Sequence, residues 1–295
     1  MRPRDLAAYL FLAIAWGLSF LLLLKVVHAF GWVGAVTFRC FIAAAILLLL
    51  SRLTRRRLAF PSRLMPLAVV GATTVAGQLI GLSYATPRIG TAMAAIFVAS
   101  IPLFSMVISR LWGLEAITPT RVMGLALGTI GLVMLVGFPA VPVTADFLLG
   151  CAAMLFSTFS AAFGSNYASR FLAGTGPWEV TIGAFFSGGI IALPLLAIVP
   201  VPGMPQPIDY LYLVALAAVM SSLTYVLYFG LVANIGATRA ISVEFAVTVV
   251  AVLVGALVLD EPLSLMQIAG GGVIIIGCAL VLGMMPARQR VPAQP

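Results

Sequence analysis

Ten apolar stretches, separated by clusters of charge, proline and glycine, account for nearly the whole chain: 6–27, 32–51, 64–86, 90–111, 119–138, 147–171, 178–199, 209–233, 238–259 and 265–285. Each is close to the roughly 20 residues that an α-helix needs to cross a hydrocarbon core of about 30 Å. Unbroken runs such as Ile42–Leu50 and Val247–Leu259 lack the alternation of barrel strands and read as helices. The pattern predicts an all-α polytopic membrane protein of ten transmembrane helices.

The stretches repeat. A shift of 146 positions sets Trp178 on Trp32, Pro207 on Pro61, Gly236 on Gly90 and Glu261 on Glu115, with no gap. It also sets Gly270 on Gly124, Ile276 on Ile130, Gly277 on Gly131 and Gly283 on Gly137. Glycine identities arise by chance in such a chain, so the rare residues carry the weight. The first half has one Glu and the second one Trp, and both find partners at this offset. The chain thus divides into two five-helix units, 1–140 and 147–287, and an odd helix count inverts the second in the membrane. Inverted repeats are the usual build of secondary transporters that work by alternating access.

Composition agrees: of 295 residues 63% are hydrophobic and 8% charged, too little polar surface for a water-soluble domain. The formal charge of +8 would suit a nucleic-acid partner, but its placement argues against one. With both termini cytoplasmic, thirteen of the sixteen basic residues fall inside, Lys25 and Arg88 fall outside and Arg39 lies within a span. This is the positive-inside pattern of a multi-pass inner-membrane protein. The Arg55-Arg56-Arg57 run reads as a topology anchor beside anionic lipid. The basic start followed by Ala13-Ile14-Ala15 resembles a cleavage site, but the apolar run continues to Val27 and reads as an uncleaved span. Cys40, Cys151 and Cys278 all fall inside helices without metal-ligand spacing, so the chain is expected to carry no metal, no cofactor and no disulfide framework.

Ala15-Trp16-Gly17-Leu18-Ser19-Phe20 with Lys25, then Phe38-Arg39-Cys40-Phe41, resemble the opening of the drug/metabolite transporter superfamily in its EamA group. The closing half of each unit is similar too, through Ala85 to Gly90, Gly113-Leu114-Glu115, Val232 to Gly236, Asp260-Glu261-Pro262-Leu263-Ser264 and Gly270 to Gly283. The resemblance covers essentially the whole chain and implies a ten-span exporter, its preferred branch being the amino-acid exporters of the YddG type. It departs where Ala162, Phe163 and Phe185 of the second unit stand opposite Trp16, Gly17 and Arg39. The pathway is therefore expected to be lined asymmetrically.

A substrate leaving water needs a few polar or aromatic groups near the bilayer midplane. Candidates are Gln78 in the third span, Ser157, Ser160, Ser165 and Asn166 in the sixth, and Ser221, Thr224, Tyr225 and Tyr228 in the eighth. Trp16 with Phe20 could form an aromatic wall in the first span for an apolar or aromatic substrate, with Ser19 of the same stretch as a further candidate, and Tyr84 could be a gate or anchor at the outer end of the third. Against this, serine and threonine often bond back to helix carbonyls, and aromatic residues often pack in cores.

Two charged residues within spans are sharper, since each costs at least about 2.5 kcal/mol on insertion. Arg39 lies roughly 10 Å below the outer boundary at about 1.5 Å per residue, and Glu244 lies a similar distance above the inner one. These depths disfavour a direct ion pair. Arg39 binds substrate, snorkels outward or holds a helix carbonyl. Glu244, with no basic residue one turn away, is a candidate for proton coupling, for a substrate amine or for a structural hydrogen bond. His28 reads as interfacial. The Gly124, Gly128 and Gly131 spacing serves packing or a dimer contact, leaving monomer and homodimer open.

The function expected is secondary export of amino acids, aromatic ones included, or of related small metabolites. Exporters of drugs or other metabolites share the resemblance. A passive channel would transport without saturation. An intramembrane enzyme finds no support, there being one histidine, no His-Glu-x-x-His and no Gly-rich phosphate loop.

Overall fold

The computed structural model describes residues 1–98, 100–114, 116, 118–136, 144–258 and 265–282, and side chains within them except at 20, 21, 91–93, 95, 96, 135, 136, 251–258 and 267. Among the described residues, helix fills ten segments that coincide with the ten apolar stretches. The first two form one element, Pro3–Leu53, divided at Gly31 (φ 71°, ψ 167°) into arms 3–30 and 32–53. The third span runs from Met65 to Gly90, the fourth continues through Ser100–Leu111, and the fifth is Pro119–Val136. The sixth to eighth spans are Ala145–Phe171, Pro177–Ile198 and Pro207–Ile235. The ninth comprises Ala237–Ile241 and Val243–Val258, and the tenth is Leu265–Leu282. Five of these helices are long and apolar enough to cross a membrane by themselves, with shorter apolar helices beside them.

The outward-facing side chains suit a bilayer. Leu148, Leu149, Phe156, Phe186, Ile190, Ile275 and others are about half exposed. So large an apolar surface would make a soluble monomer aggregate, whereas lipid tails cover it without penalty.

The 146-residue offset reappears in the backbone. Gly90 (φ 80°, ψ 157°) and its mate Gly236 (φ 87°, ψ 159°) hold the same left-handed conformation, reserved in practice for glycine, where the third span turns into the fourth and the eighth into the ninth. The third span widens into a π-helical turn at Gly71–Gly77, the eighth at Ala218–Leu223, which is the shifted position. Fifth and tenth spans pack face to face through glycines. A Cβ on Gly124 would lie 2.8 Å from the Gly277 carbonyl, and one on Gly131 would lie 2.7 Å from that of Gly270. Exchanging each glycine for its mate turns one contact into the other. The small-residue stripe thus serves packing within the chain. Because backbone cannot yield as a side chain can, Gly277→Ala is expected to cost about 1–3 kcal/mol and lower the detergent melting temperature. Gly272→Ala, with nothing within 4 Å, should leave it unchanged or slightly raised. Size-exclusion profiles after heating compare the two.

Contacts sort the loops onto two faces. Asn234 Nδ2 donates to Asp5 at 3.0 Å, and the Ala59 amide donates to Glu179 Oε1 at 3.0 Å, gathering on one face the chain start, the basic loop after the second span and the start of the seventh. Arg56 lies over the Trp178 ring on that same face. On the opposite face Arg88 pairs with Asp146 at 3.1 Å, and Gly31 approaches Pro202. A cysteine at exposed Ser62 and one at exposed Gly203 should therefore label from opposite sides of the membrane.

Candidate substrate site

The eighth span carries the aromatic centre. Tyr225 and Tyr228, both buried, lie 6.1 Å apart between ring centroids. Trp16 of the first span meets them at 5.7 and 5.5 Å, so three rings from two spans make one wall. Phe185 of the seventh span closes on Tyr225 edge-on at 4.9 Å. Tyr228 is fixed by its hydroxyl, 2.6 Å from Ser165 Oγ. Since that serine gives its proton to the Ala161 carbonyl, the tyrosine is the donor.

Arg39 reaches across from the second span. It is 6% exposed, donates through Nε to Ser221 Oγ and through Nη2 to the Met220 carbonyl at 3.1 Å. Both acceptors lie on the widened turn of the eighth span, one turn from Tyr225. Arg39 thus holds a helix carbonyl, one of the three roles its sequence position left open. Nη1 has no hydrogen-bond partner among the described residues.

Glu244 is half-buried at the start of Val243–Val258. Its carboxyl makes no hydrogen bond or ion pair with any described residue. Arg39 and Glu244 do not pair with each other, in keeping with their different depths. The bundle thus holds one basic and one acidic side chain without an ion-pair partner among the described residues.

Toward the face that bears the chain start, a polar layer ties the fourth, sixth and ninth spans together. Asn166 Nδ2 donates to Ser105 Oγ at 2.9 Å and to the Ala162 carbonyl at 2.8 Å, and its Oδ1 accepts from Ser109. Ser105 meets Thr238 at 3.3 Å. Beside it the Tyr9 hydroxyl donates to Ser242 Oγ at 3.1 Å, that serine's proton going to the Arg239 carbonyl. Every member is buried except Arg239.

The EamA-like transporter family model matches residues 5–137 and again 148–283. The chain belongs to the EamA-like transporter family. Among curated relatives, the Escherichia coli K12 protein named uncharacterized inner membrane transporter YedA is 30% identical over 263 residues, covering 84% of this chain and 82% of that protein. An Archaeoglobus fulgidus protein named uncharacterized transporter is 24% identical and covers 90% and 94%. Protein PecM of Dickeya dadantii is 26% identical and covers 96% and 92%. A solved crystal structure superposes with a TM-score of 0.80 at 18% identity, over 96% of this chain and 98% of that one, which shows the shared fold. This EamA-family member is a multi-pass inner-membrane transporter and not an enzyme.

For such a transporter the remaining sequence candidates divide by place. Ser157 donates to the Gln78 carbonyl at 2.7 Å, joining the sixth span to the third, while the Gln78 amide has no side-chain partner among the described residues. Ser160 packs against Gly77, and Thr224 is fully buried with its hydroxyl unpartnered. Ser19 bonds back to the Trp16 carbonyl at 2.7 Å. Tyr84 lies apart, 5.2 Å from Trp32 and beneath Arg88, at the face opposite the polar layer. Exposed His28 belongs to the same end. The Phe20 side chain, Glu115, Asp260, Glu261, Gly137 and Gly283 lie outside the described residues. Tyr9, Ser105, Ser109, Thr238 and Ser242 are not singled out by the sequence. Their signal is two hydroxyl pairs at four-residue spacing, Ser105 with Ser109 and Thr238 with Ser242, in the halves of two spans that face Asn166 and Glu244.

Proposed function

We propose that this transporter exports amino acids or related small metabolites across the cytoplasmic membrane by alternating access, with both termini in the cytoplasm and the five-span units 1–140 and 147–287 related by inversion. The carrying observation is the wall of Trp16, Tyr225 and Tyr228 with Arg39 anchored one turn from Tyr225, together with Glu244, an acid without an ion-pair partner among the described residues. A membrane protein keeps such groups inside the bilayer when they meet a substrate or a coupling ion. The exchange of glycine contacts between fifth and tenth spans supports the inverted relation. The polar layer supports alternating access, because the repeat shift maps Asn166, Ser105, Ser109 and Thr238 onto Phe20, Ala251, Gly255 and Ala92. In this reading the hydrogen-bonded layer is the cytoplasmic closure, and the positions related to it by the repeat carry no hydroxyl or amide side chain.

Glu244 accepts either a proton or a substrate amine in this reading, and that competition couples the proton gradient to export. Purified protein in liposomes should take up labelled aromatic amino acids against an internal excess of the unlabelled compound, saturably and with competition among substrates. Flux linear in concentration would favour a channel, and no flux across an amino-acid panel would remove amino acids as substrates.

A further inference from the structure

A cavity of about 430 Å³ lies toward the face opposite the chain start. The second span gives it Phe38, Phe41 and Ile42, the eighth gives Tyr210 and Leu213, and the loop 199–206 closes the end nearest the membrane surface. Phe38, Phe41 and Ile42 stand at three- and four-residue spacing, so one helix face presents all three. The loop seats on small residues: a Cβ on Gly34 would lie 3.3 Å from Val201 Cγ2, and one on Gly31 would lie 3.2 Å from Pro202 Cδ. One side of the cavity stays open, near the half-exposed Phe186 that meets Phe41 edge-on at 6.2 Å. None of Trp16, Arg39, Tyr225 and Tyr228 lines it, so it is separate from the aromatic wall.

Water is a poor occupant. At roughly 30 Å³ each, about fourteen molecules would fill the volume, and each would need two to four polar partners. Tyr210 is the one residue of the lining with a polar side chain. Left empty, the walls would lose the dispersion contacts of their inner faces. A lipid tail matches in both volume and length. A methylene takes much the same space as a water, so the cavity holds a chain of about fourteen carbons. From Gly34 beneath the loop to Ile42 the second span rises about 12 Å, against about 15 Å for half of the hydrocarbon core. Lipid tails are also the solvent at the open side.

We propose that this cavity binds one acyl chain of a phospholipid from the leaflet opposite the chain start, held between the second and eighth spans beneath the loop 199–206. The bound chain braces the same two spans that Arg39 joins through Ser221 and Met220. The site lies outside the transport reading and does not depend on it.

Photolabelling tests it in the intact protein. Purified full-length protein is reconstituted in liposomes doped with a phosphatidylethanolamine that carries a diazirine at the end of a myristoyl chain, and labelled peptides are mapped after illumination. Labelling per residue on Phe38–Ile42 and Tyr210–Leu213 should exceed that on the lipid-exposed stretch Leu148–Phe156 of the same leaflet by at least about threefold. A handful of extra dispersion contacts supplies such an enrichment. Ile42→Trp, which fills the cavity from its own wall, should remove the excess and leave labelling of the sixth span unchanged. Its melting temperature reports that it has folded, and the wild-type map is decisive without it. Labelling no higher than on the sixth span would make the chain in the cavity ordinary solvent and overturn the site. Excess labelling that persists in folded Ile42→Trp would overturn it as well. Excess that added phenylalanine displaces would assign the cavity to a transported molecule instead of a lipid.

Discussion

Glu244→Gln is expected to bring pH-driven transport to background while counterflow at saturating substrate continues. The carboxyl has no hydrogen bond to satisfy and no counter-ion to release among the described residues, so an amide of the same shape costs the fold little. The substitution removes the ability to exchange a proton for a substrate amine. Liposomes carrying a pH gradient, with the same preparation assayed in counterflow, separate the two outcomes. Full pH-driven activity at normal yield would take Glu244 out of the mechanism. A collapse in yield would assign it to structure instead.

Asn166→Leu should have the second largest effect. Leucine fills similar space but makes none of the bonds that Asn166 makes to Ser105, Ser109 and the Ala162 carbonyl. Each polar group stranded in a dry interior costs about 1–3 kcal/mol. Opening the layer to water relieves that cost. The variant should therefore be less thermostable and should favour a conformation open to the cytoplasm. A cysteine placed at buried Ser109 should react faster with a membrane-impermeant thiol reagent from that side, by roughly tenfold per 1.4 kcal/mol of shift. Unchanged labelling would mean that the layer stays shut without Asn166.

The spans were legible because a bilayer imposes one length and one polarity on every crossing helix, and no partner is needed to read it. The repeat was legible through residues too rare to coincide by chance, and the glycine match at Gly90 and Gly236 proved to be a match of backbone conformation. The widened turns at Gly71–Gly77 and Ala218–Leu223 were not legible, since no residue type marks a π turn. Each rotates the rest of its helix, and the widened turn in the eighth span brings Met220 and Ser221 to Arg39. Depth alone could place Arg39 and separate it from Glu244, but its partner lies 182 residues away and no periodicity points there. The same holds for Tyr9 and Ser242, 233 residues apart. Ser105 with Ser109 and Thr238 with Ser242 stand at four-residue spacing, but packing alone chose which faces meet.

If transport proceeds by alternating access, the polar layer must open in every cycle. Ser105 and Thr238, on the fourth and ninth spans, hold their oxygens 3.3 Å apart, near enough for a paired cysteine replacement to close a bond of about 2.05 Å after a small rotation. The measurement is transport by the Ser105→Cys, Thr238→Cys protein, with Cys40, Cys151 and Cys278 replaced, before oxidation, after it and after reduction. Oxidation should stop counterflow and reduction should restore it. Undiminished transport by the fully cross-linked protein would contradict alternating access through this layer.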